Sequence, residues 1–387
     1  MKITIYALHL GVGGVEKYVL TLANMLVEEH DVDIVSTYKM QEKPAFYVNP
    51  KVKITYLLED LKPNKEELRE ALKGRNIINI IKELGKSLLI LYLKKRENIK
   101  SIKACKSDVI ISTRIFHNKL MGKYASKEIV KITGEHNHHN GNQKYIRQVI
   151  KSCKKFDYFI PISKELCEYY REPMRKNNVE TVYIRFCIED NPLAKKPSFE
   201  TLSLISVGRM SKEKGIYDLL DVFELVHSEC PDIKLHIVGD GAEYEAVDSL
   251  IREKGLTDLV ILHGFRDKQY IFQLLENVSL YVMTSFTESF GIVLLEAMSC
   301  GIPCIAYSSA QGAHEIIEDG VNGFLIENRD KIAMKDRICH LLSEKQSLFR
   351  LSENSFATAE KFSYNNTKKA WLKLMNTVER KRENEND

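Results

Sequence analysis

The sequence predicts an α/β protein made of two doubly wound parallel-sheet domains facing an interdomain cleft. Its 387 residues exceed the length over which one hydrophobic core usually keeps growing, so two domains of roughly 150 to 200 residues are expected. Short apolar runs alternate with longer helical patterns in both halves, as parallel strands covered by helices require. Between the halves, EDNPLAKKPSFE (189–200) has two prolines, mixed charge and no hydrophobic period, which marks a linker.

The first set of strands is expected at 2–8, 32–38, 108–113, 129–135 and 158–163. The second is expected at 202–208, 233–239, 259–265, 278–284 and 303–309. The domains then span 1–188 and 201–363. The remaining 364–387 forms a helix that crosses back to the first domain, its apolar face carrying the single tryptophan, Trp371. The closing RKRENEND has no apolar side chain to hold it and is expected to fray.

Composition is that of a soluble globular protein, 44% hydrophobic and 28% charged. Eight cysteines without a C-x-x-C pair fit reduced thiols and a cytoplasmic location. The N-terminal MKITIYALHLGVGG lacks a small-residue cleavage site and reads as a first strand. The most apolar segment, Ile77 to Leu93, is interrupted by Lys82, Glu83 and Lys86 and cannot span a bilayer unaided. The net charge of +4 conceals +11 in residues 1–190 and −7 in 191–387, so the halves should have different partners. No nucleic-acid partner is expected.

In open α/β sheets, ligands bind beyond the carboxyl ends of the strands, and three stretches there carry chemistry. GVGGVEKYVLTLANML (11–26) places glycines before an amphipathic helix, where bare backbone N–H groups and the helix dipole favour an anion. It is an incomplete dinucleotide fingerprint, and a plain tight turn is the competing reading. SVGRMSKEKGIYDLLDVF (206–223) sets Arg209 at a strand end and Lys214 near a helix start, suited to holding a diphosphate and stabilising it as it leaves. Two solvated surface cations are the alternative. ESFGIVLLEAMSCGIPC (288–304) carries Glu288 ahead of an apolar helix expected to start at Ser289 or Phe290, and Glu296 within it. Unpaired carboxylates do not belong in a core, so each should face a polar ligand. A nucleotide sugar has the required length, with sugar hydroxyls for one glutamate, phosphates for the helix N-terminus and ribose hydroxyls for the other.

VGRMSKEKG, IVGDGAEYE (237–245), LHGF (262–265), ESFGIVLLEAMSCGIPCIA and GAHEIIEDGVNGFLI (312–326) occur in the order seen in retaining glycosyltransferases of the GT-B fold, specifically the large family 4, which this chain resembles. The Glu288-x7-Glu296 spacing with its intervening SFG is the most specific element. GVGGVEKYVLTLA resembles that family's acceptor-side loop, and PISKEL (161–166) its late first-domain turn. The resemblance implies that Arg209 and Lys214 hold the donor diphosphate, that Glu288 contacts the donor sugar, and that Glu296 binds the ribose. It further implies that Gly13 and Gly14 close over the phosphates, and that Gly208, Gly239, Gly264, Phe265, Ser289, Phe290, Gly291 and Ile292 line the donor. His136 in TGEHNHHNG (133–141) matches the active-site histidine near the sugar. Two departures stand out: Phe186 and Cys187 replace the usual Asn-Gly pair after the last first-domain strand, and Gln311 occupies a position that resembles donor-sugar selecting segments.

No metal site is expected. His136, His138 and His139 lack the spacing of good ligand sets. The DVD at 31–33 precedes a strand and imitates a metal motif by chance. No cofactor is expected beyond the nucleotide-diphosphate sugar as substrate. The expected activity is retaining transfer of a hexose or N-acetylhexosamine, with a UDP-sugar as the prior donor, to a hydroxyl of a saccharide or lipid-linked acceptor in bacterial surface polysaccharide or glycolipid synthesis. The alternatives are a GT-B nucleotide-sugar epimerase and a non-catalytic sugar-nucleotide-binding partner of a transferase. Lys62 to Lys106 carries 13 Lys+Arg against 5 Asp+Glu among isoleucines and leucines at helical spacing. That suits an anionic membrane surface and peripheral attachment at the inner face of the cell membrane; a core-facing helix with a solvated basic side is the other reading.

Overall fold

The computed structural model describes residues 1–74, 76–188 and 196–386, with backbone alone at 385 and 386. The chain divides into two compact units, Met1–Ile184 with Lys368–Asp387, and Arg185–Thr367. Most of the expected linker, residues 189–195, lies outside the described residues.

The first unit contains β1 (Lys2–Ala7), α1 (Gly14–Leu26), β2 (Asp31–Tyr38), β3 (Lys53–Leu58), α2 (Lys65–Lys73), α3 (Ile77–Ala104), β4 (Val109–Ser112), α4 (Ile115–Tyr124), β5 (Val130–Glu135), α5 (Gln143–Cys153), β6 (Tyr158–Pro161), α6 (Lys164–Arg175) and β7 (Glu180–Thr181). Its sheet runs β3-β2-β1-β4-β5-β6-β7, parallel throughout. The central strands are apolar on both faces because helices cover both. Ile3, Ile5, Ile34, Ile110 and Ile132 are all fully buried.

The second unit repeats the scheme with β8 (Ser203–Val207), α7 (Ile216–Glu229), β9 (Lys234–Val238), α8 (Tyr244–Glu253), β10 (Val260–Leu262), α9 (Lys268–Leu275), β11 (Leu280–Met283), α10 (Ile292–Ser299), β12 (Cys304–Tyr307), α11 (Ala313–Ile316), β13 (Gly323–Ile326), α12 (Lys331–Ser343) and α13 (Lys345–Lys361). Its order is β10-β9-β8-β11-β12-β13, again parallel. The two doubly wound sheets are those the sequence pattern predicts. The last helix, α14 (Tyr364–Asn386), starts within the second unit, and from Lys368 it belongs to the first.

The structure departs from the sequence reading in three respects. Strands β3, β7 and β13 were not anticipated: β3 is a half-exposed edge whose alternation is diluted by lysine and tyrosine, and the others are too short to show a period. The tail expected to fray continues as helix, because cations replace apolar anchors. Lys381 Nζ donates to Tyr158 Oη at 2.9 Å, and Arg382 donates to the carbonyl of Asp108 at 3.0 Å and that of Glu128 at 2.9 Å. Finally, α10 begins at Ile292 and not at Ser289 or Phe290. Gly291 stands in the left-handed region (φ 88°, ψ 48°), where a right-handed helix cannot run through it.

Candidate active site

In each sheet the strand order reverses once, between β1 and β4 and between β8 and β11. Those reversals open a crevice at the carboxyl ends, the place where doubly wound sheets bind ligands.

In the second unit, the buried Tyr281 of β11 fixes that crevice. Its hydroxyl donates to the Val207 carbonyl at 2.9 Å and accepts from the Val207 N–H at 3.2 Å, which ties β8 to β11 at the point of reversal. Gly208 and Arg209 follow immediately, then the turn carrying Lys214. Gly215 holds this turn against the end of β11: a Cβ there would lie 1.9 Å from the Thr284 carbonyl oxygen, and Thr284 Oγ1 donates to the Gly215 carbonyl at 2.9 Å. Lys214 Nζ thereby meets Glu288 Oε2 at 2.5 Å, with both side chains half-buried. Arg209 is 68% exposed and pairs with Glu213. Gly208, Arg209, Lys214, Thr284, Ser285 and Glu288 line one hollow. A larger hollow lies at the opposite, amino-terminal edge of this sheet, around Ser198 to Ser203 and Asp232. It has neither a strand reversal nor a carboxyl end to supply ligand groups.

Other expected donor contacts join this edge. The Gly208 N–H donates to Val238, and the Gly239 N–H to Gly264, each at 2.9 Å, so the three glycines end neighbouring strands in one row. Phe265 beyond them is 76% exposed. Ser289, Phe290 and Gly291 form a non-helical connection from Glu288 to Ile292, the first residue of α10. Glu296, on α10, lies 3.7 Å from Lys268 of α9. The Glu288 carbonyl accepts from the Gly312 N–H at 2.8 Å, which joins the Gln311 loop to the site, and the Gln311 side-chain oxygen is buried without a partner. Phe186, at the departure from the family pattern, is buried with its ring 5.5 Å from that of Phe290.

Sequence reasoning missed the brace behind Glu288. Arg329 donates to the carbonyls of Thr284 at 2.8 Å and Ser285 at 3.0 Å, pairs with Asp218, and lies 3.6 Å from the Phe286 ring centroid. Arg329 and the preceding Asn328 both adopt positive φ, 53° and 55°. No local motif announces an arginine that acts through loop carbonyls so far away in the chain.

In the first unit, Gly13 caps α1 and Gly14 opens it. The nearby acid was also missed: Glu16 is buried, accepts from Arg114 Nη2 at 2.8 Å and lies 3.6 Å from His9 Nε2. Arg114 follows β4, so this pair sits at the first sheet's reversal. His136 follows β5, buried, its ring 4.3 Å from that of Tyr18 and its Nε2 without a hydrogen-bond partner. Burial, reinforced by the Arg114 charge, pushes the imidazole down to about 3, so it is neutral at pH 7. Burial raises the neighbouring Glu135 carboxyl against the opposing pull of donors from Asn137 at 2.9 Å and Tyr145 at 2.8 Å. His138 and His139 are half-buried, and His139 packs 4.3 Å from the Tyr169 ring. Among the described residues, no three His, Cys, Asp or Glu side chains converge as a metal site would require. Asp31 and Asp33 begin β2, at the opposite edge of the sheet from His136.

Residues 192–358 match the family model described as Glycosyl transferases group 1. This segment is similar to the domains that model describes. The whole chain is 25% identical over 388 residues to an uncharacterized glycosyltransferase of Haemophilus influenzae, covering 97% of this chain and 99% of that one. A lipopolysaccharide 1,6-galactosyltransferase of Escherichia coli is 32% identical over 181 residues, 45% of this chain and 49% of that one. The chain spans only 40% of an exopolysaccharide phosphotransferase of Streptomyces coelicolor and 37% of a poly(glycerol-phosphate) alpha-glucosyltransferase of Bacillus subtilis. Among solved structures, the lipopolysaccharide outer core galactosyltransferase WaaB superposes with a TM-score of 0.71 at 19% identity, over 97% of this chain and 99% of that one. S. aureus TarM superposes with a TM-score of 0.74 at 17% identity, over 97% and 100%. The fold this chain shares with these neighbours is GT-B, two parallel-sheet α/β domains.

Proposed function

We propose that the chain is a retaining family 4 glycosyltransferase that moves a hexose or N-acetylhexosamine from a nucleotide-diphosphate donor, a UDP-sugar first, to a hydroxyl of a saccharide or lipid-linked acceptor in bacterial surface polysaccharide or glycolipid synthesis. The observation that carries the reading is the second sheet's reversal, where Lys214 is fixed against Glu288 beside Gly208 and Arg209. A diphosphate needs cations that stay in place as charge develops, and a lysine held by a carboxylate on a braced loop supplies one. Support for the donor class comes from the pneumococcal O-GlcNAc transferase GtfA, solved with UDP and GlcNAc, which is 25% identical with a TM-score of 0.62 over 74% of this chain and 60% of that one. The galactosyltransferase and glucosyltransferase relatives support the acceptor class.

In this mechanism the bond from the sugar's anomeric carbon to the diphosphate oxygen breaks. The acceptor oxygen bonds to the same carbon on the same face, and the acceptor proton passes to the departing diphosphate. Arg209 and Lys214 take up the leaving group's charge. Glu288 orients the sugar and Glu296 the ribose. The neutral His136 offers its unpartnered nitrogen to a sugar hydroxyl, and Gly13 and Gly14 leave backbone N–H groups bare for an anion. We assign no role to a divalent metal, since the two cations supply the charge such an ion would bring.

Thermal-shift measurements against UDP-, GDP- and ADP-sugars and the bare nucleotides test the donor assignment. A sugar nucleotide that stabilises more than its parent nucleotide names the sugar. Proton NMR of the product's anomeric signal then tests retention. Isomerised donor formed without any acceptor would replace this reading with the epimerase.

A further inference from the structure

The helix α3 is docked along its second half and bare along its first. Asn98 and Ile102 are buried, and the Asn98 amide donates to Thr37 Oγ1 at 3.2 Å. One flank of the first half is tied through Asn64, which donates to Glu83 Oε2 at 2.8 Å and accepts from Ser87 Oγ at 2.8 Å. Away from that flank, Ile77 is 72% exposed, Ile78 78%, Ile81 65%, Leu88 68% and Leu91 60%. Leu84, Leu89 and Tyr92 are exposed as well. At 100° per residue these eight side chains fall on one continuous arc of about 160°, along a rod about 24 Å long. An apolar surface of this kind on a soluble domain marks a contact site.

From this geometry we infer that the first half of α3 lies flat on an anionic lipid surface. The breadth of the arc argues for a plane, because a single partner helix needs only a narrow seam of two positions per heptad. The charges argue for anionic lipid. Lys82 and Lys86 border the arc, and Lys95 stands at its end. Among the described residues no carboxylate pairs with these three lysines. The segment's own acids are engaged elsewhere, Glu83 with Asn64 and Glu97 with Arg96. A second copy of the chain would bring the same positive rim against this one. Lysines beside an apolar face can bury their stems and keep their ammonium groups at headgroup level. No described helix is long and apolar enough to cross a membrane, so the contact is interfacial. The inference stands apart from the transferase reading, since it uses no residue of either sheet reversal.

The test is cosedimentation of the full chain with phosphatidylcholine vesicles, with and without phosphatidylglycerol, at low and high salt. Binding is expected with the anionic vesicles and should weaken with salt. Leu84→Glu combined with Leu88→Glu should reduce binding at least tenfold, with the thermal midpoint unchanged because neither side chain is in the core. Leu88→Trp should show blue-shifted emission on adding anionic vesicles and none with phosphatidylcholine alone. Absence of binding to both vesicle types overturns the inference. So does a self-associated chain in solution that the double glutamate variant converts to monomer, which would assign the surface to a second copy.

Discussion

The two strand reversals share one topology and differ in how deeply their ion pairs are buried. At β8/β11 the cations stand at the surface: Arg209 is 68% exposed, and the side chain of Lys214 keeps 28% exposure beside Glu288. At β1/β4 the cation Arg114 is already matched by Glu16, whose side chain is only 6% exposed, and the adjacent imidazole is buried and neutral. Repeating a fold therefore does not repeat a site. The first reversal keeps its carboxylate and imidazole inside the fold, whereas the second pairs Lys214 with Glu288 and Arg209 with Glu213 close enough to the surface for both cations to turn to a ligand.

The largest expected effect comes from removing either of those surface cations. Lys214→Ala or Arg209→Ala should lower kcat/KM for sugar transfer by roughly 100- to 1,000-fold, about 3 to 4 kcal/mol of barrier, as seen on deleting one oxyanion donor. Initial rates with the donor found by thermal shift provide the check, and near-normal turnover of either variant would break the comparison at its second member.

Acid should break the first member next. His117, buried on α4 just after Arg114 with its Nε2 3.1 Å from Thr37 Oγ1, and His136 are both held near 3 by burial, whereas in the unfolded chain they titrate near 6.5. Between those values the unfolded state binds more protons, so stability is full above about pH 6.5 and falls as pH drops toward 3. The loss at pH 4 is about 3 kcal/mol per histidine. Emission from Trp371, the only tryptophan and part of the first unit, should report earlier denaturant unfolding at pH 4 than at pH 7. His117→Gln should flatten that dependence, and an unchanged pH profile would contradict the neutral-histidine assignment.

Glu16→Gln should cost the first unit about 2 kcal/mol, less than the loss from a fully buried pair because Arg114 remains partly exposed. Trp371-detected unfolding measures it, and nucleotide affinity should not change. Glu296→Gln is the mildest, raising the donor KM roughly tenfold, about the worth of one hydrogen bond to a charged group, with kcat nearly intact. A fall in kcat without a change in KM would move Glu296 from binding to chemistry.

Much of this contrast was legible in the sequence on one side only. The second site is written locally, with Gly208, Arg209 and Lys214 in one run and Glu288 to Glu296 in another, each immediately after an apolar strand. The helix boundary at Ile292 was misplaced because a left-handed glycine at 291 looks like any other inside an apolar run. Arg329 and the Glu16–Arg114 pair were invisible because their meaning lies in partners 45 and 98 residues away. Such pairings exist only once parallel strands bring distant loops to one edge. For α3 the apolar spacing fitted a membrane surface and a core-facing helix alike, and only its exposure in the fold separates the two.

The most direct measurement is calorimetric titration of the bare nucleoside diphosphates UDP, GDP and ADP into the wild-type chain, Lys214→Ala and Glu16→Gln. At least one nucleotide should bind the wild type and Glu16→Gln alike and lose tenfold or more in affinity with Lys214→Ala. Equal affinity for wild type and Lys214→Ala, or binding lost in Glu16→Gln alone, would contradict placing the diphosphate at the second reversal.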